Sequence, residues 1–247
     1  MRVDLSADVG EGADDLPLFP LLTSVSVACG AHAGDEPTMR ACVAEARRLG
    51  VAVGAHPGYP DREHFGRAEM TMLSSDLIAT IDEQVRALGR VCGEAGVPLR
   101  HVKPHGALYN QAAFDGSLAE TIAEAVRRVD TDLVLVGLAG SVMLAVASDA
   151  GIRVAAEAFA DRRYRADGTL ASRGSPDALI DDPAAAAAQA VAIARGEPIR
   201  TVDGTSLAIT AGTICLHSDT PGALDIAHAV RRGLESAGVE VAPLVPR

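Results

Sequence analysis

The chain has 247 residues, a formal net charge of −11, 48% hydrophobic residues and no Trp. The acidic balance argues against a nucleic-acid footprint or a surface for anionic membranes, but a locally positive site for small anionic substrates stays compatible with it. No apolar run approaches the roughly 20 residues of a membrane span. The core is expected to be aliphatic, and a chain of this length buries most of its unfolded surface without disulfide staples.

Four cysteines, Cys29, Cys42, Cys92 and Cys215, are widely spaced and form no CxxC, which reads as reduced, buried thiols in a cytoplasmic protein. The opening MRVDLSADVG reads as a strand rather than as a secretory signal.

Strands are predicted over residues 3–8 (VDLSAD) and 23–29 (TSVSVAC). Asp35 is placed as an N-cap with Pro37 just inside a helix. Met39, Cys42, Val43, Ala46 and Leu49 then recur at helical spacing, and Gly50 closes the helix. A third strand follows at 51–55, a long helix at Ser74 to Ala95, a fourth strand at 97–103 and a helix at 114–128. Strand five is 132–137, Ser141 caps a helix ending at Gly151, and strand six is 152–159. Asp182 and Pro183 open an Ala-rich helix to Arg195, strand seven is 210–217, and the last helix starts at Thr220 or Pro221. VEVAPL at 239–244 is a candidate last strand. Repeated strand–helix units of roughly 30 residues mean parallel strands with helices outside. The expectation is an α/β fold: an irregular (β/α) barrel of seven to eight parallel strands over a single domain, residues 1–247, with a doubly wound open sheet as the competitor.

Polar residues cluster where these strands end: Asp8 and Glu11, then His32 and Asp35, then His56, Tyr59 and Asp61. Lys103, His105, Tyr109 and Asn110 follow, then Asp161, Arg162 and Tyr164, then His217 and Asp219. In parallel α/β folds these ends ring one mouth, so six segments deliver ionisable groups to one place. His32, His56, His105 and His217 occupy matching positions, whereas His64, His101 and His228 do not and read as structural. Asp35, and Asp219 or Thr220, also serve as helix caps. Asp4 either points into the barrel or flanks it, Cys29 reads as a buried thiol, and Asp14 and Asp15 read as a solvated face. Asp8, His32 and His56 are candidate ligands for a divalent metal. The same residue types suit metal-free acid–base work on an amide, with Lys103 pairing a substrate carboxylate or an oxyanion. No P-loop and no GxSxG occurs, and GLAGS at 137–141 offers only a weak helix-terminus anion signal.

The runs DLSADVGE, ACGAHAGD, GAHPGYPD, HVKPHGALYN, GLAG, FADRRY and CLHSDTPGA, in this order over nearly the whole chain, resemble the LamB/YcsF lactam-utilisation family, described as the A component of bacterial 5-oxoprolinase. The resemblance implies a distorted barrel of the glycoside hydrolase/deacetylase kind. It also implies ATP-dependent hydrolysis of 5-oxo-L-proline to L-glutamate, with ATP as co-substrate and subunits B and C as partners. The family's motif positions fall on Asp8, Glu11, His32, His56, Lys103, His105, Asp161 and His217. On that reading Asp8 or Glu11 is the general base, His32 or His56 orients it, and Lys103 and His105 hold phosphate or the developing oxyanion. Tyr59, Tyr109, Asn110, Asp161, Arg162, His217 and Asp219 are the candidate substrate-binding set. Ser6, Ala7, Ala31 and Ser218 depart from the family's usual residues and alter pocket lining more than the ionisable set. A metal-dependent deacetylase or amidohydrolase without ATP, and a non-catalytic lactam-binding subunit, remain the alternatives.

Overall fold

Strand β1 (Arg2–Val9) is buried almost throughout, yet it alternates apolar and polar residues. Val3, Leu5, Ala7 and Val9 join the main apolar core, while Asp4, Ser6 and Asp8 on the opposite face are buried among other polar side chains. Period-two alternation with both faces buried means that one face meets helices and the other lines a closed lumen. The computed structural model, which describes residues 1–12 and 14–244, has this architecture.

Parallel pairing runs from β1 to β2 (Ser24–Ala28), β3 (Ala52–His56), β4 (Leu99–Val102), β5 (Val134–Leu138) and β6 (Arg153–Phe159). Two two-residue strands, β7 (Ile199–Arg200) and β8 (Ser206–Leu207), form a separate antiparallel pair. Strand β9 (Thr213–His217) then pairs with β6 on one side and β1 on the other, closing a ring of seven parallel strands. This closure rules out the open doubly wound sheet. The predicted last strand shrinks to β10 (Glu240–Val241), which pairs with the start of β1 outside the ring.

Helices cover the outside. In α1 (Glu36–Leu49), Asp35 accepts from Thr38 N at 2.9 Å, Met39, Cys42, Val43 and Ala46 are buried, and Gly50 ends the helix at φ 70°. Such a cap is worth about 1 kcal/mol. Next come α2 (Ser74–Ala95), α3 (Gly106–Ala112), α4 (Gly116–Val129) and α5 (Val142–Asp149), then α6 (Pro183–Arg195) and α7 (Ala223–Ser236). Asp182 and Ser141 cap α6 and α5 as expected. Helix α3 and a 3₁₀ turn at Leu16–Leu21 were not expected, and α4 starts two residues later than predicted, because Asp115 caps that helix. Helix α7 begins later than predicted: Thr220 donates to Asp161 and Gly222 takes a left-handed φ of 74° just before the helix. Asp15, expected on a solvated face, is buried and accepts from Gly10 N at 2.6 Å, while Asp14 is exposed.

The lumen is polar on one side and apolar on the other. Asp4 accepts from Thr23, Ser24 and Thr213 at 2.6–2.7 Å, so this strand-interior carboxylate points inward and is satisfied there. Val134, Val136 and Ala155 form a small apolar cluster against Leu244. Between these sides, His101 lies across Gly54. A Cβ on Gly54 would come within 2.1 Å of the imidazole, so only glycine leaves room for the ring. Gly54→Ala is expected to cost about 1–3 kcal/mol in urea unfolding, and adding His101→Ala is expected to recover part of the loss. A Gly54→Ala protein as stable as the parent would show that the ring does not occupy this space.

Candidate active site

Register brings the strand ends together. Asp8 pairs with His217 across β1 and β9, Ala28 pairs with His56 across β2 and β3, and Lys103 follows directly after β4. Lys103 is buried. Its Nζ donates to both Asp8 oxygens at 2.9 and 3.0 Å and to Cys215 Sγ at 3.3 Å, and it is ion-paired to Glu157 Oε1 at 2.8 Å. Tyr109 Oη donates to the other Glu157 oxygen at 2.8 Å. Burial alone would pull the ammonium down, but the charges led by Asp8 hold it well above the ordinary lysine value. Burial pushes the Glu157 carboxyl up, opposed by Lys103. Burial would also raise Asp8, yet His56 beside it and the Lys103 ammonium keep it below the usual carboxylate value, so Asp8 stands ionised.

Beside this network lies a cluster of nitrogens around Glu11. His32 Nε2 and His105 Nδ1 are 2.9 and 3.0 Å from Glu11 Oε1, and His56 Nε2 is 3.5 Å from it. His56 Nδ1 lies 2.7 Å from Lys103 O, and His105 Nε2 lies 2.8 Å from Phe65 O. A carbonyl only accepts, so both of those nitrogens carry the proton. The remaining nitrogens, His56 Nε2 and His105 Nδ1, then face each other at 3.0 Å with the Glu11 carboxylate alongside. Acceptors facing acceptors repel unless a proton or a cation sits between them.

Glu11, His32, His56 and His105 each offer a ligand atom within 4.8 Å of the others, and this donor set fits a divalent transition metal. Burial pushes His56 down to about 3 and also lowers His32, which keeps these imidazoles available as neutral ligands. Burial would raise Glu11, but a proton or cation shared with His105 and His32 holds it well below the carboxylate range. His32 stacks on His105 with ring centroids 3.7 Å apart. Phe65, whose carbonyl orients His105, adopts φ 58°, a left-handed conformation that costs a bulky residue roughly 1–3 kcal/mol.

A cavity of about 360 Å³ opens onto both groups, and Asp8, Glu11, His56, Lys103, His105 and Tyr109 form its inner lining. Asn110 sits at its exposed rim, and Arg162 and His217 also line it. Other candidates fall elsewhere. Tyr59 is buried in the apolar core and does not reach the cavity. Asp161 lies beneath the lining, accepting from the His217 backbone N at 3.0 Å, from His217 Nδ1 and from Thr220, and His217 outweighs burial to hold it at about 2. Asp219 caps no helix and instead pairs with Arg67 at 2.6 Å and Arg173 at 3.3 Å. Of the candidate metal ligands, His32 and His56 join the cluster, while Asp8, 3.4 Å from His56, is held by Lys103. Cys29 is buried and burial lifts its thiol to about 12, which leaves it inert. His101 is buried in the lumen, where burial pushes it down to about 4, and exposed His64 pairs with Asp61.

Three contributors were missed: Glu157, Arg67 and Arg173. For Glu157 a signal existed, since the one carboxylate of this strand, two residues before Phe159 and among Ala155, Ala156 and Ala158, shares the Phe159 face and needs a buried partner. The arginines sit on long connections whose course the sequence does not reveal.

In fold alone the chain is similar to the family 4 carbohydrate esterase from Streptomyces lividans, 13% identical, with a TM-score of 0.51 and coverage of 99% of this chain and 93% of that one. Much nearer is the lactam utilization protein from Thermus thermophilus, 43% identical, with a TM-score of 0.92 and coverage of 98% of this chain and 99% of that one. A relative from Chloroflexus aurantiacus, named as the A component of 5-oxoprolinase, is 48% identical over 247 residues, 98% of each chain. The LamB/YcsF family profile matches residues 3–247, and the chain belongs to that family. Among the described residues, no helix is long and apolar enough to cross a membrane.

Lys103→Met would leave Asp8 and Glu157 facing each other without a cation. It is expected to cost about 3–5 kcal/mol in urea unfolding at neutral pH, with Lys103→Met/Glu157→Gln recovering a substantial part. Unchanged stability of the single variant would contradict the charge assignment.

Proposed function

We propose that this chain is the lactam-acting component of an ATP-dependent 5-oxoprolinase, working in the cytoplasm with partner subunits B and C. The observation that carries the reading is Asp8, held ionised by Lys103, lining the same cavity as Glu11, His56 and His105. The names of the relatives supply the substrate class, since geometry alone would suit other small amides.

The lactam is an unstrained amide, so coupling to ATP is physically reasonable. Transfer of the γ-phosphoryl group to the lactam oxygen releases ADP and leaves a phosphorylated imidate. Water adds to the ring carbon and Asp8 takes its proton. The C–N bond breaks, the amine leaves with a proton, and a second water converts the acyl phosphate to glutamate and phosphate. Lys103 is already balanced by two carboxylates. Its role is therefore to keep Asp8 ionised and aimed into the cavity rather than to hold phosphate. A divalent cation held by Glu11, His32, His56 and His105 would supply Lewis-acid polarisation of the substrate oxygen. That same cluster favours one second reading, metal-assisted amide hydrolysis without ATP.

Glutamate release from 5-oxo-L-proline, followed with and without ATP, for the chain alone and with B and C, separates the two. The expected result is ATP-dependent release in the mixture only, reduced roughly 10²–10⁴-fold by Asp8→Asn. ATP-independent, chelator-sensitive release by the chain alone would favour the second reading. No release from any folded and assembled combination would overturn the first.

A further inference from the structure

The cavity has a second charged region, formed by Arg67, Arg162 and Arg173. Arg162 is the innermost, only 6% exposed. Its Nη2 donates to Ala171 O at 2.7 Å, while its Nε is buried without a hydrogen-bond partner. Buried guanidinium N–H groups seldom go unpaired, because their desolvation is then uncompensated. Arg67 and Arg173 share one carboxylate, Asp219, and Arg67 also lies over the Phe65 ring at 4.8 Å.

The local charges do not cancel. Three guanidiniums face two carboxylates, Asp219 and Asp161, and Asp161 is itself engaged by His217 and Thr220. Asp8 and Glu11 belong to the other side of the cavity, Asp8 sharing Lys103 with Glu157 and Glu11 lying among the imidazoles. The arginine region alone therefore carries one positive charge in excess, while the Lys103 and Glu11 side of the cavity carries excess negative charge. Burial, reinforced by the neighbouring Arg173, pushes the Arg162 guanidinium down to about 10, as expected for a cation lacking its counterion.

We propose that Arg162, flanked by Arg67 and Arg173, is the subsite for a single substrate carboxylate. Building on the lactam reading above, that group is the ring carboxylate of 5-oxoproline. A surplus of one charge matches a monoanionic carboxylate better than a dianionic phosphate. Guanidinium N–H groups also recognise a planar carboxylate with directional, charge-assisted hydrogen bonds. Anchoring the carboxylate here leaves the lactam carbonyl to point toward the Asp8 and Glu11 part of the same cavity, so the arginines act as positioning residues.

Calorimetric titration of the full chain, alone and with its partner subunits, tests this with four probes: 5-oxo-L-proline, pyrrolidin-2-one, acetate and inorganic phosphate. Pyrrolidin-2-one is the same lactam without the carboxylate. The expected result is that Arg162→Gln weakens 5-oxoproline about 30- to 100-fold and leaves pyrrolidin-2-one binding unchanged. Arg173→Gln, a more exposed position, is expected to weaken 5-oxoproline several-fold and keeps the test open should Arg162→Gln fail to fold. Parent-like affinity for 5-oxoproline in both variants overturns the proposal. Loss of phosphate binding alone also overturns it and assigns the arginines to a phosphoryl group. If the parent protein does not bind 5-oxoproline, the lactam reading falls and acetate decides the subsite by itself. Saturable acetate binding lost in Arg162→Gln upholds a carboxylate site, and its absence in the parent overturns it.

Discussion

A closed barrel with charges in its lumen has to neutralise them internally, and Lys103 is where this one does so. Its ammonium sits between Asp8 of β1 and Glu157 of β6. The rest of the residue ties strands together: Lys103 N donates to Ala55 O and Lys103 O accepts from His56. Removing one partner of such a group leaves a buried charge whose desolvation cost far exceeds that of a missing surface pair. Side chains from β1, the end of β4, β6 and helix α3, which supplies Tyr109, are thereby fixed relative to one another before any ligand arrives.

That constraint divides the mouth into regions of different chemistry. Lys103 is saturated, so it offers no free positive charge to an incoming anion. Around Glu11 the opposite holds. Two backbone carbonyls take the outward N–H groups of His56 and His105 and turn the other nitrogens toward the carboxylate, which creates a demand for a proton or cation. The arginine region has surplus positive charge instead. A small molecule bearing a carboxylate and an amide would meet both regions within one cavity of about 360 Å³, at the small end of the range for ligand pockets.

Much of this was legible in the sequence, for identifiable reasons. Helix starts at Asp35, Ser141 and Asp182 follow from side-chain capping, which is local, and the convergence of strand ends follows from parallel topology. His32, His56, His105, Asp8, Glu11 and Lys103 come together as that topology requires. What the sequence hid was non-local. Tyr59 sits in a strand-end motif but turns into the apolar core, and nothing in GAHPGYPD tells the two faces of a loop apart. Asp15 looks solvated until the chain folds back to bring Gly10 N onto it. Asp219 follows His217 closely, yet its partners Arg67 and Arg173 come from two long connections, so its role as a tether for arginines had no local signal.

The histidine ring orientations at the mouth create a cation-demanding point beside Asp8. Long-range ¹H–¹⁵N spectra of the histidine-labelled protein, recorded before and after adding zinc, test it directly. His56 is expected to carry its proton on Nδ1 and His105 on Nε2, and zinc is expected to shift His56 Nε2 and His105 Nδ1 while leaving those two protons in place. The opposite tautomers, or ring nitrogens indifferent to zinc, would contradict it.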